Sequence, residues 1–125
     1  MRSRYLAVLI GASLAISGCG DDAPTKGEPE QKCESFVATW CQQSVACLVT
    51  LGKLPEAQRA SSEATCKDVG IAALQCKKAV SIGGTYSQCI SDIGAMDCAN
   101  WNVPEDKYST IQPPATCREI IVISP

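Results

Sequence analysis

Three stretches of the chain place apolar residues on one helical face. In the first, Cys33, Phe36, Val37, Trp40, Cys41, Cys47, Leu48 and Leu51 recur at helical spacing between Pro29 and Gly52. A proline near the start and a glycine past the end frame a helix in the usual way. A second helix is expected to begin near Pro55 or Ser62. Its stripe is Cys66, Val69, Ala73, Cys76 and Val80, with Gly70 as the point where it can bend or split. Gly83-Gly84 then breaks the chain, and Thr85-Tyr86-Ser87-Gln88 has the form of a capping box. Tyr86, Cys89, Ile90, Ile93 and Met96 follow as a third stripe, and Pro104, Pro113 and Pro114 predict a loop up to Cys117. Period-two alternation is scarce, and the tail from Ile120 to Ile123 is the one candidate strand. The pattern predicts an all-α fold, a small bundle of about three helices with a C-terminal loop and tail.

Ahead of the first helix the pattern changes. Arg2 and Arg4 precede an apolar run from Tyr5 to Ile16, which ends in Ile16-Ser17-Gly18-Cys19. A run of this length suits a signal peptide and falls short of the ~20 residues that cross a bilayer. The four closing residues resemble the lipobox of bacterial lipoproteins: an aliphatic residue, two small ones and a cysteine, with Ile here in place of the more usual Leu. The resemblance implies a diacylglyceryl group on the Cys19 sulfur, cleavage before it, and acylation of the new amino terminus. It also implies a lipid bilayer as the first partner. One acyl chain anchors only marginally, so firm attachment takes more than one. Three segments follow: a signal peptide at 1–18, a tether at 19–32 that begins with lipidated Cys19, and a folded domain at 33–125. The tether carries Pro24, Gly27, Pro29 and mixed charge, with no apolar period. In enterobacterial sorting an Asp after the lipidated cysteine retains a lipoprotein in the inner membrane. Gly20 stands there, which points to the outer membrane, facing the periplasm or the cell surface.

Charge removes several functions. Eleven basic against thirteen acidic residues give −2 and a pI near 5.0. Removal of Arg2 and Arg4 with the signal leaves nine against thirteen, or −4. Nothing here suits nucleic acid. The chain has no histidine, which removes the commonest general base and the commonest metal ligand. No nucleophile elbow, phosphate loop, calcium loop or dinucleotide fingerprint occurs. No catalytic residue, metal or cofactor is therefore expected. Asp92 and Asp97 on the third helix, and Lys77 and Lys78, are expected to be solvated. Trp40 is expected in the core, and Trp101 is expected to pack against the helices rather than to present a binding contact.

Beyond Cys19, eight cysteines remain: Cys33, Cys41, Cys47, Cys66, Cys76, Cys89, Cys98 and Cys117. An even number at this density marks a disulfide scaffold, and aromatics at 5% leave a small core in need of staples. The gaps between them, 7, 5, 18, 9, 12, 8 and 18 residues, contain no CxxC, so zinc, thioredoxin-like redox and c-type haem roles lack their motif. Straight helices hold their own cysteines too far apart to bond: Cys33 and Cys41 about 12 Å, Cys66 and Cys76 about 15 Å. Every bridge must join different elements, which cuts the 105 possible pairings to about 48. Cys98–Cys117, pinning the proline loop, and Cys47–Cys66, closing the first interhelix turn, are the favoured pairs; the rest stay open.

The reading that follows is a non-enzymatic, membrane-anchored lipoprotein domain that contacts an envelope protein. The stretches "CISDIGAMDC" and "PPATC" resemble small cysteine-rich envelope lipoproteins of unknown role. The alternative is a small hydrophobic-ligand (lipid) binder. Plant lipid-transfer proteins use four disulfides around helices to hold a cavity open. The likeness is in architecture only, since their adjacent CC and their CxC are missing here.

Overall fold

A computed structural model describes residues 26–125; the signal peptide, Cys19 and the tether through residue 25 lie outside the described residues. The architecture is helical, with α1 at Glu28–Thr50, α2 at Arg59–Ala73 and α3 at Tyr86–Gly94. Five short 3-10 turns and a two-stranded antiparallel sheet, β1 at Ala79–Ile82 and β2 at Ile121–Ile123, complete it. Among these residues no helix is long and apolar enough to cross a membrane.

α1 is the spine. It is 23 residues long, about 35 Å at helical rise, and α2, α3, β1 and the 3-10 turns at Cys76–Lys78 and Cys98–Trp101 pack along it. Pro29 falls in the first turn with Glu28 and Glu30, where a missing N–H costs nothing and acidic charge meets the helix dipole favourably. The helix thus includes Glu28 to Lys32, which the sequence reading places in the tether.

The chain turns back through Gly52, whose φ of 72° is left-handed and which any residue with a Cβ would strain. α2 then runs antiparallel to α1: Cys41 bonds Cys66 and Cys33 bonds Cys76, so steps up one helix match steps down the other. The two helices come very close at Gly70. A Cβ there would lie 2.6 Å from Val37 Cγ1. Gly70 neither bends nor splits the helix; it admits the neighbouring one. Gly70→Ala is expected to lower stability by about 1–3 kcal/mol through overpacking, although alanine is the better helix former. Adding Val37→Ala should recover part of the loss, and urea unfolding of the two variants reads the coupling.

Two expectations about α2 and α3 fail for local reasons. α2 stops at Ala73 because Gln75 turns left-handed, with φ 53°. Cys76 then sits in a 3-10 turn, and Val80 belongs to β1, paired with the tail strand, rather than to a helical stripe. At α3 the capping box does not form. Thr85 has φ −91° and ψ 8° with no side-chain cap; its hydroxyl donates to the Thr116 carbonyl at 2.8 Å, and the Gln88 amide donates to Asp92. The tail strand is present as expected, and the proline loop coils into 3-10 turns at Glu105–Thr110 and Ala115–Cys117.

The core is largely sulfur. Of the eleven buried apolar residues among those described, six are cysteines, beside Val37, Val45, Ile93, Trp101 and Ile120. Two clusters form, one around Cys33, Val37, Cys41 and Cys76, the other around Cys89, Ile93, Cys117 and Ile120. Phe36 and Ile121 pack against both clusters and join them.

The four disulfides are Cys33–Cys76, Cys41–Cys66, Cys47–Cys98 and Cys89–Cys117. Each joins two different elements, as helix geometry requires. The favoured pairs Cys98–Cys117 and Cys47–Cys66 are both wrong. The turn after α1 consumes residues before α2 begins at Arg59, so Cys66 lies two helical turns into α2 and faces Cys41, with Cα atoms 5.7 Å apart. Cys47 is left to face the loop after α3 and takes Cys98, which leaves Cys117 for Cys89.

Candidate binding cleft

An open groove runs along the seam between α1 and α2. Phe36, Val37, Trp40 and Cys41 line it from α1; Cys66, Val69, Gly70, Ala73 and Leu74 line it from α2 and its C-cap. The result is an apolar cleft of about 1030 Å³, at the upper limit of small-molecule sites. The Cys41–Cys66 bridge crosses its floor and fixes the spacing of the walls. Gly70 deepens it, since any larger residue there would intrude.

The loop after α3 supplies the rim. Glu105, Tyr108 and Pro113 close one margin, and the loop is held in place from α1's far end. Lys53 Nζ donates to the Trp101 carbonyl at 3.0 Å and to the Val103 carbonyl at 2.6 Å. The same ammonium lies 5.7 Å above the Tyr108 ring, a cation–π distance. Beneath, Trp101 is 2% exposed and packs at a tilt against Trp40, with ring centroids 5.7 Å apart. Trp101 therefore packs, as expected, and Trp40 forms part of both the core and the cleft wall.

The chemistry of the lining is spare. Ser61, Ser62 and Thr65 bring hydroxyls at the end of the cleft where α2 starts, and Glu105 is the one charged lining residue. Hydroxyls without a neighbouring base are poor nucleophiles, and an apolar groove with a few polar groups at its ends is suited to holding an apolar chain.

Residues singled out from the sequence fall elsewhere. Asp92 accepts hydrogen bonds from Gln88 and from the Thr116 hydroxyl at 2.7 Å, tying α3 to the Cys117 turn. Asp97 caps the 3-10 turn at Cys98–Trp101 through the Ala99 N–H. The two carboxylates have separate structural jobs. Lys77 and Lys78 are exposed. Among the described residues no group of three or more His, Cys, Asp or Glu is placed to hold a metal ion. Tyr86 donates its hydroxyl to the Lys32 carbonyl at 2.9 Å, and burial pushes its phenol above the ordinary range.

The cleft itself was only half legible. Val69 and Ala73 do share a stripe with Cys66, but periodicity cannot say whether a stripe is covered. Val69 is 64% exposed and Leu74 38%, so this part of the stripe faces solvent. Tyr108 and Pro113 reach the rim through loop packing, for which the sequence carries no periodic signal.

Comparison of the chain with protein-family models, with curated proteins and with solved structures finds no match in any of the three.

Proposed function

We propose that the chain is a membrane-anchored, cysteine-rich lipoprotein of the bacterial envelope, probing for no substrate and catalysing no reaction, whose stapled domain binds a single apolar chain in the cleft between α1 and α2. The anchor rests on the lipobox-like Ile16-Ser17-Gly18-Cys19. The binding activity rests on one observation: an uncovered apolar cleft of about 1030 Å³ whose width a disulfide fixes. Of the two readings drawn from the sequence, an envelope-protein contact module and a small hydrophobic-ligand binder, this cleft favours the second. Burying ten methylenes of an acyl chain there is worth about 8 kcal/mol before the costs of ordering. The position of Gly20 favours the outer membrane as the site of anchorage.

Native mass spectrometry of the exported, oxidised chain carrying Cys19→Ser tests the binding. The expected spectrum shows one lipid-sized adduct per chain, lost when Val69→Glu and Ala73→Glu are introduced together. Both positions are exposed, so the substitutions alter the cleft lining without touching the core. A bare mass that stays bare after incubation with palmitate and with a diacyl phospholipid would sink the ligand reading and return the contact module to first place.

A further inference from the structure

The direction of α1 and α2 says which apolar chain lies nearest. Cys33 bonds Cys76 just beyond the end of α2, with Cα atoms 5.4 Å apart. The Leu74 end of the cleft therefore adjoins the start of α1, the same end from which the chain leads back to Cys19. Cys19 precedes Glu28 by nine residue steps, which sets an upper bound of about 30 Å on its reach. On α2 the lining runs from Ser61 to Leu74, about 20 Å along the axis. One acyl chain of a bilayer leaflet is about 15 Å long, half the hydrocarbon core. Reach, entry point and length all agree.

We propose that the cleft is an intramolecular seat for an acyl chain carried by the protein's own Cys19, occupied when the protein is away from a bilayer. The inference rests on the lipoprotein reading above and adds the identity of the ligand. The chain enters at Leu74, passes Val69 and ends near the Ser61, Ser62 and Thr65 hydroxyls. A nine-residue connection keeps it at a high effective concentration next to the groove, so it outcompetes free lipid of the same chemistry. The lining suits an esterified or amidated chain: its single charge is the Glu105 carboxylate, which repels the carboxylate of a free fatty acid. When a bilayer is present, the larger apolar phase withdraws the chain and the cleft empties.

Photo-cross-linking of the full acylated chain tests this. Thr65, exposed and in the lining, is replaced by p-benzoylphenylalanine, and the protein is irradiated after detergent removal, without vesicles. Reduction of the Cys41–Cys66 bridge followed by trypsin releases residues 60–67. The expected product is this peptide joined to the acylated peptide that begins at Cys19, in a yield independent of protein dilution. Val69→Glu with Ala73→Glu should lower that yield at least tenfold. No such product from a protein whose mass shows the lipid in place overturns the proposal and leaves the anchor standing. A yield that falls on dilution also overturns it, because the chain then comes from a second copy. A Cys19 peptide without lipid overturns the anchor, and the proposal with it.

Discussion

Reduction of the four disulfides is expected to unfold the domain in water at room temperature. The bridges close segments of 43, 25, 51 and 28 residues. In the chain-entropy treatment each restricts the unfolded state by about 3.5–4 kcal/mol. Their loops overlap, so the sum of about 15 kcal/mol is an upper value, yet it equals the top of the range of net stability for whole domains, ~5–15 kcal/mol. Little else can compensate. Among the described residues, apart from cysteine, the buried core holds only Val37, Val45, Ile93, Trp101 and Ile120, and the ion pairs Lys26–Glu34, Lys32–Glu28 and Arg59–Glu56 sit at the surface, where such pairs contribute little. Far-ultraviolet circular dichroism with and without dithiothreitol should show helical signal lost on reduction and regained on oxidative refolding. A reduced chain that keeps its signal and a cooperative urea transition would show that packing alone holds the fold.

The second large effect is expected at Trp101. Trp101→Ala should cost about 3–5 kcal/mol, as truncation of a buried aromatic does, while Trp101→Phe should keep most of the stability. The ring is almost fully buried and rests on Trp40, a wall of the cleft. Its own carbonyl accepts from Lys53, so the residue couples the end of α1, the loop and the cleft wall. The alanine variant, with its bridges intact, should remain folded at low urea and bind apolar chains more weakly than the phenylalanine variant. Urea unfolding followed by circular dichroism supplies the stability, and native mass spectrometry the binding. A loss below 1 kcal/mol would mean that Trp101 packs far more loosely than its burial indicates.

Much of this fold could be read from residues, because helices announce themselves through short-range rules. The stripes Cys33–Leu51 and Tyr86–Ile93 repeat every 3.6 residues, and Pro29 and Gly52 mark where the first helix begins and stops. The rule that no bridge lies within one helix also held, since rise per residue alone decides it. Pairing was lost at the next level. Whether Cys66 faces Cys41 or Cys47 depends on how many residues the turn between α1 and α2 consumes, which spacing by itself does not specify. The end of α2 was hidden for a related reason: Cys76 and Val80 continue the helical period, and only the left-handed Gln75 breaks it. Glutamine gives no warning of such a turn, whereas glycine would. The cleft was the least visible feature. An apolar stripe on a helix reads the same whether a neighbour covers it or solvent does, and Val69 turned out to face the latter.

One chemical division underlies the account: the proposal assigns lipid to Cys19, while the eight later cysteines are all bonded to one another. Intact-mass measurement of the protein extracted from native membranes, followed by a non-reducing peptide map, tests it most directly. The expected mass lacks residues 1–18, includes the acyl groups, and is short by the eight hydrogens of four disulfides, with Cys33 linked to Cys76 and Cys41 to Cys66. A water-soluble, unacylated protein whose thiols alkylate freely without reductant would contradict it.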